Sequence, residues 1–130
     1  MSEELPIGSV PWRDLTVEKA DDVRAFYERV VGWRSRPEDM GGYADFSMVA
    51  PATGETVAGV CHARGVNADL PAQWLIYIVV DDIDQSVAAC VELGGEVVAG
   101  PRSAGNNRIC VIRDPAGAVC ALYQAGSGSS

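Results

Sequence analysis

The 130-residue chain has a single histidine, His62, and only 10 Lys and Arg against 18 Asp and Glu, a formal net charge of −8. One imidazole leaves metal chemistry short of ligands, since catalytic zinc ordinarily takes three from the protein. So few cations exclude a nucleic-acid surface, which needs a basic face to meet phosphates. No window approaches the roughly 18 apolar residues of a membrane-spanning helix. The first residues, Met1 to Pro6, lack the basic-then-apolar pattern of a leader. The expectation is a cytoplasmic protein without a membrane or nucleic-acid partner. Its four cysteines, Cys61, Cys90, Cys110 and Cys120, show no C-x-x-C spacing and lie in apolar runs. They are expected as free, mostly buried thiols, and a chain of this length needs neither disulfides nor a structural metal to hold a core.

What the sequence does contain is itself, twice. Val17 and Val80 (80 − 17 = 63), Asp21 and Asp84, Ala25 and Ala88, Gly32 and Gly95, Gly54 and Gly117, and Ala58 and Ala121 all keep one offset. In the first half, Ser9–Val17 reads as a strand and Ala20–Val31 as a helix. Val23, Phe26, Tyr27, Val30 and Val31 form its apolar stripe, and Gly32 stands where a left-handed cap belongs. Strands are then expected from Trp33 to Arg36, Tyr43 to Val49 and Thr56 to His62. The second half repeats the order: strand Trp74–Val80, helix Ile83–Leu93, strand Glu96–Val98, a Gly/Pro/Asn loop through Asn107, strand Arg108–Ile112, and a last strand to Tyr123 after the turn Asp114–Gly117. The fold class is α+β, with two tandem βαβββ modules at residues 8–64 and 72–125 in one domain, residues 8–125. Residues 126–130 read as a flexible tail.

The stretches DLTVEKADDVRAFYERVVGW and DPAGAVCALYQ, set in paired βαβββ modules, resemble the vicinal oxygen chelate superfamily of glyoxalase I, bleomycin-resistance proteins and extradiol dioxygenases. The resemblance implies mixed sheets curled around a cavity, helices on the outer face, and completion as a homodimer. It also implies metal ligands on the first and last strand of each module, here Trp12, Leu75, Ala58 and Ala121. None of these can bind a metal, so no metal and no cofactor are expected.

Counting by twos along the strands then sorts the remaining candidates. Trp12, Tyr77 and Tyr123, with Leu75, Val79, Val60, Met48, Ala58 and Ala121, fall on the cavity-facing parity. Such an aromatic, apolar lining suits a small organic ligand, aromatic ones included. His62 shares the parity of Ala58, and Asp14 that of Trp12, which makes them candidate catalytic acid/base partners. Cys61 is expected on the helix side, and Cys110 is the thiol best placed for the pocket. Arg108, with Arg64 and Arg102, could hold an anionic group, and Asn106–Asn107 could form a lid. Three readings stay open: a metal-free small-molecule binding protein, a glyoxalase-like lyase or isomerase using His62 and Asp14, and a dimeric assembly module without a ligand.

Overall fold

The computed structural model describes residues 5–126. The chain divides into two compact units, Trp12–Trp74 and a second that joins Leu75 onward to the N-terminal residues up to Pro11. The first unit holds β1 (Trp12–Val17), α1 (Ala20–Val30), β2 (Arg34–Asp39), β3 (Ala44–Val49), β4 (Thr56–His62) and a 3-10 turn, Gly65–Asn67. The second follows with β5 (Trp74–Val79, whose first residue belongs to the first unit), α2 (Ile83–Glu92), β6 (Glu96–Ala104), β7 (Asn107–Arg113) and β8 (Val119–Gln124). The strands run β2-β3-β4-β1 in one unit and β6-β7-β8-β5 in the other. In each, the first and last strands pair parallel and the remaining neighbours antiparallel. This is the α+β, tandem βαβββ class expected. No helix among the described residues is long and apolar enough to cross a membrane.

Local chemistry sets the helices. Arg24 and Glu28 pair at i,i+4 (3.2 Å) on α1, and Gly32, at φ +89°, turns the chain out of it. Asp82 caps α2, its carboxylate accepting from the backbone N–H of Asp84 (3.1 Å) and Gln85 (3.2 Å). The apolar stripe of α1 is only partly covered: Tyr27 and Val23 pack on the core, while Phe26 and Val30 remain more than half exposed.

Two findings depart from expectation. The supposed loop between Val98 and Asn107 is strand. β6 continues to Ala104, pairing Ala99 with Val111 and Arg102 with Ile109, and register irregularities on either side absorb Gly100 and Pro101. Asn107 opens β7, and its side-chain Oδ1 accepts from the Gly126 N–H (2.9 Å), so Asn106 lies in the hairpin turn and Asn107 in a strand, rather than in a lid. Residues 127–130 of the expected tail lie outside the described residues.

The second departure concerns which way β4 faces. Val49 pairs with Thr56 but Met48 pairs with Ala58, so Val57 is an extra, bulged residue. β7 and β8 run from Arg113↔Val119 to Val111↔Ala121 with no such insertion. A one-residue slip turns over every following side chain. In the first unit Ala58 and Val60 therefore join Phe46 and Met48 in the core with Ala20, Val23 and Tyr27 of α1. In the second unit the residues packed against Ile83 and Val87 of α2 are Cys110, Ile112 and Leu122, one step out of phase with the 63-residue repeat. Ala58, Val60 and Met48, expected to face a cavity, are core residues beneath α1. Cys110, the thiol expected at a pocket, is fully buried beneath α2.

Candidate functional site

With the α1 side of the first unit filled, its other face carries the polar chemistry. β1 and β4 pair Asp14 with Gly59 and Thr16 with Cys61. A Cβ placed on Gly59 would lie 3.2 Å from both Asp14 Cβ and Trp12 Cζ2, and 3.8 Å from Cys61 Sγ. Trp12, Asp14 and Cys61 thus surround a bare stretch of backbone, and the indole Nε1–H donates to Asp14 Oδ2 (3.3 Å). Pairing of Ser47 with Gly59 and Arg36, and of Asp45 with Glu38, brings β2 and β3 residues onto the same face. There Ser47 Oγ (2.7 Å) and Arg36 Nε (3.1 Å) both donate to Glu38 Oε2, in that order holding its carboxyl below the usual range. Arg36 also donates to Thr56 Oγ1 (3.0 Å).

Cys61 lies here and not on the helix side. Burial first, then the carboxylates of Asp14 and Asp45, push its thiol far above its ordinary value of 9.0. A thiol held protonated in this way is a poor nucleophile.

His62 and Asp14 are not brought together. His62 pairs with Val17, three residues from Asp14 along β1, so the two side chains leave opposite faces of the sheet. The imidazole instead sits on the α1 side. Its Nδ1 is 3.3 Å from Asp45 Oδ1, its Nε2 is 3.9 Å from Asp21 Oδ2 on α1, and the rings of Tyr43 and Phe46 flank it at 5.5 and 6.4 Å. Asp45, which the sequence did not single out, also accepts the His62 backbone N–H (2.8 Å). Beyond it, the Arg64 guanidinium stacks on Tyr43 at 3.9 Å.

In the second unit, Tyr77 pairs with Ala121, and Val79 and Ile109 with Tyr123. These residues alternate with Ile78 and Leu122, which leaves Leu75, Tyr77, Val79, Ala121 and Tyr123 on the face away from α2. Leu75, Val79 and Ala121 are buried. Arg108 is on the α2 side. It grips Asp84 of the helix with two bonds, Nη1–Oδ2 at 2.9 Å and Nη2–Oδ1 at 3.1 Å, so it is not on the face of the tyrosines.

Two units of this mixed strand order, each backed by one helix, define the vicinal oxygen chelate class. A glyoxalase-like domain model matches residues 14–123, and the chain belongs to that family. It is 30% identical over 118 residues to the "Putative glyoxylase CFP32" of Mycobacterium tuberculosis, covering 90% of this chain and 44% of that protein. It is also 30% identical over 135 residues to the "Anthracycline biosynthesis protein DnrV" of Streptomyces peucetius, covering 92% and 48%. The chain therefore spans less than half the length of these curated relatives. Among solved structures, a methylmalonyl-CoA epimerase in complex with methylmalonyl-CoA superposes with a TM-score of 0.56 at 15% identity, covering 94% of this chain and 97% of that one. That similarity speaks for the fold alone. The metal that the class implies does not fit the side chains present. Trp12, Leu75 and Ala121 offer no ligand, and the β4 residue beside Asp14 is Gly59, which offers none either. Among the described residues no group of three His, Cys, Asp or Glu could hold a metal ion.

Proposed function

We propose that the chain is a small-molecule binding protein whose ligand lies on the face of the first unit away from α1, independent of a metal. The observation that carries this reading is the indole of Trp12 hydrogen-bonded to Asp14 beside the side-chain-free Gly59. An aromatic plane with an acceptor at its edge suits a flat ligand bearing hydroxyl or amino donors. The anthracycline biosynthesis relatives favour a polycyclic aromatic, and an anthracycline is the natural probe. The same reading takes the chain as a homodimer in the cytoplasm.

Titration with an anthracycline, followed by tryptophan fluorescence, tests the reading. Quenching that saturates in the wild type, and a Trp12→Ala variant that binds at least two- to tenfold more weakly, are expected from the loss of one aromatic contact of about 0.5–1.5 kcal/mol. Saturable binding of equal affinity in Trp12→Ala would refute the assignment, and no binding at all would favour the assembly-module alternative.

A further inference from the structure

We propose that Asp45 and His62 form a general-base site on the α1 side of β4, one that deprotonates a water held between His62 Nε2 and Asp21. Asp45 reaches it from the Trp12 face, but the site does not depend on that reading. A carboxylate can only accept, so the imidazole nitrogen facing Asp45, Nδ1, carries the proton. Asp45 Oδ1 also accepts the backbone N–H of the same residue, so one oxygen fixes both the ring and the strand that carries it. Asp45 is thereby an oriented anion, and Nε2 is left as the basic nitrogen.

Nε2 points to the first turn of α1, where Asp21 Oδ2 stands 3.9 Å away. That separation is too long for a direct hydrogen bond, but an O–H group about 2.8 Å from each atom spans it. Both atoms accept, so the bridging group must donate two hydrogens, as a water molecule does. Tyr43 and Phe46 wall the ring on its flanks, and the imidazole keeps 16% of its side-chain surface exposed, enough to admit a small molecule. With an activated ester such as p-nitrophenyl acetate, the bridging water gives one proton to Nε2 as its oxygen adds to the ester carbonyl. The carbonyl–phenolate bond breaks, p-nitrophenolate leaves with the electron pair, and the acetic acid formed and Nε2 each release a proton to solvent. Asp45 stays ionised throughout and acts as a positioning residue, while His62 is the catalytic one.

The test is hydrolysis of p-nitrophenyl acetate by the full chain, read beside the 15N resonances of the imidazole. His62→Gln is expected to lower kcat by about 10²-fold. Asp45→Asn is expected to lower kcat with KM unchanged, because its amide can donate to Nδ1 and move the ring proton to Nε2. The exposed Glu92→Gln on α2 should leave the rate as it is. If either variant fails to fold, the wild-type tautomer decides: a proton on Nδ1 of the neutral ring supports the site, and a proton on Nε2 overturns it. Hydrolysis unchanged in a folded His62→Gln would overturn it equally.

Discussion

Gly59→Ala should damage the first unit, and the reason is specific to the way β4 faces. The added methyl would stand 3.2 Å from Asp14 Cβ and from Trp12 Cζ2, where carbon–carbon contact is comfortable at about 3.5–4.0 Å. Both neighbours are on β1, the parallel partner of β4, so relief requires Trp12 to tilt or the strands to part. Overpacking of this kind costs about 1–3 kcal/mol. Against it, replacing a strand glycine returns about 0.5–1 kcal/mol of backbone entropy. The net expectation is a loss of about 1 kcal/mol, a fall in melting temperature of roughly 3–5 °C for a chain of this size. Thermal melts followed by far-UV circular dichroism measure the loss, and near-UV dichroism reports the displaced indole. If the variant melts at or above the wild type with an unchanged near-UV spectrum, Gly59 does not lie beneath Trp12 and the assigned register is wrong.

Other expectations follow from the same geometry. Val60→Ala should cost about 2 kcal/mol in urea unfolding, as a buried side chain beneath α1, yet leave anthracycline affinity unchanged; weakened binding would return Val60 to the ligand face. Because folding raises the Cys61 thiol above 9.0, the folded and unfolded states bind equal protons at neutral pH. Above about pH 9 the unfolded chain ionises first, so stability should fall as pH rises, and Cys61→Ala should flatten that decline. Arg108→Gln should leave ligand binding within twofold of wild type. It should also let the Asp84 carboxyl, held below 3.8 chiefly by the Arg108 hydrogen bonds, titrate upward toward that value in a 13C NMR pH series.

Much of the architecture was legible because periodicity and turn chemistry are local. The spacing of Val23, Phe26, Tyr27, Val30 and Val31 located α1, glycines and an Asp-Pro turn located the ends of elements, and Thr56–His62 appears as read. The part of β6 beyond Val98 reads as loop because Gly100, Pro101 and Gly105 normally break strands, and nothing in the sequence announces the irregular pairing with β7 that accommodates the first two. The site was less legible for a related reason. The repeat offset holds for β1 and β5, for the helices and for the paired ends of β3 and β4, so it gave no warning of the Val57 bulge. That one residue moved Ala58, Val60 and His62 to the helix side and Cys61 away from it. Asp45 went unnoticed because its role depends on two neighbours, Cys61 and His62, that meet it only across the β3–β4 ladder.

The indole region of a 1H–15N correlation spectrum tests the central claim most directly, because the chain has three tryptophans and hence three indole N–H signals. Trp33 and Trp74 pack on Tyr27, whose hydroxyl accepts the Trp74 indole N–H at 3.0 Å, whereas the Trp12 indole meets Asp14 on the opposite face. On addition of an anthracycline, the Trp12 indole signal should shift in a saturable manner while the other two stay in place. Movement of the Trp33 or Trp74 signal with Trp12 unchanged would contradict the account.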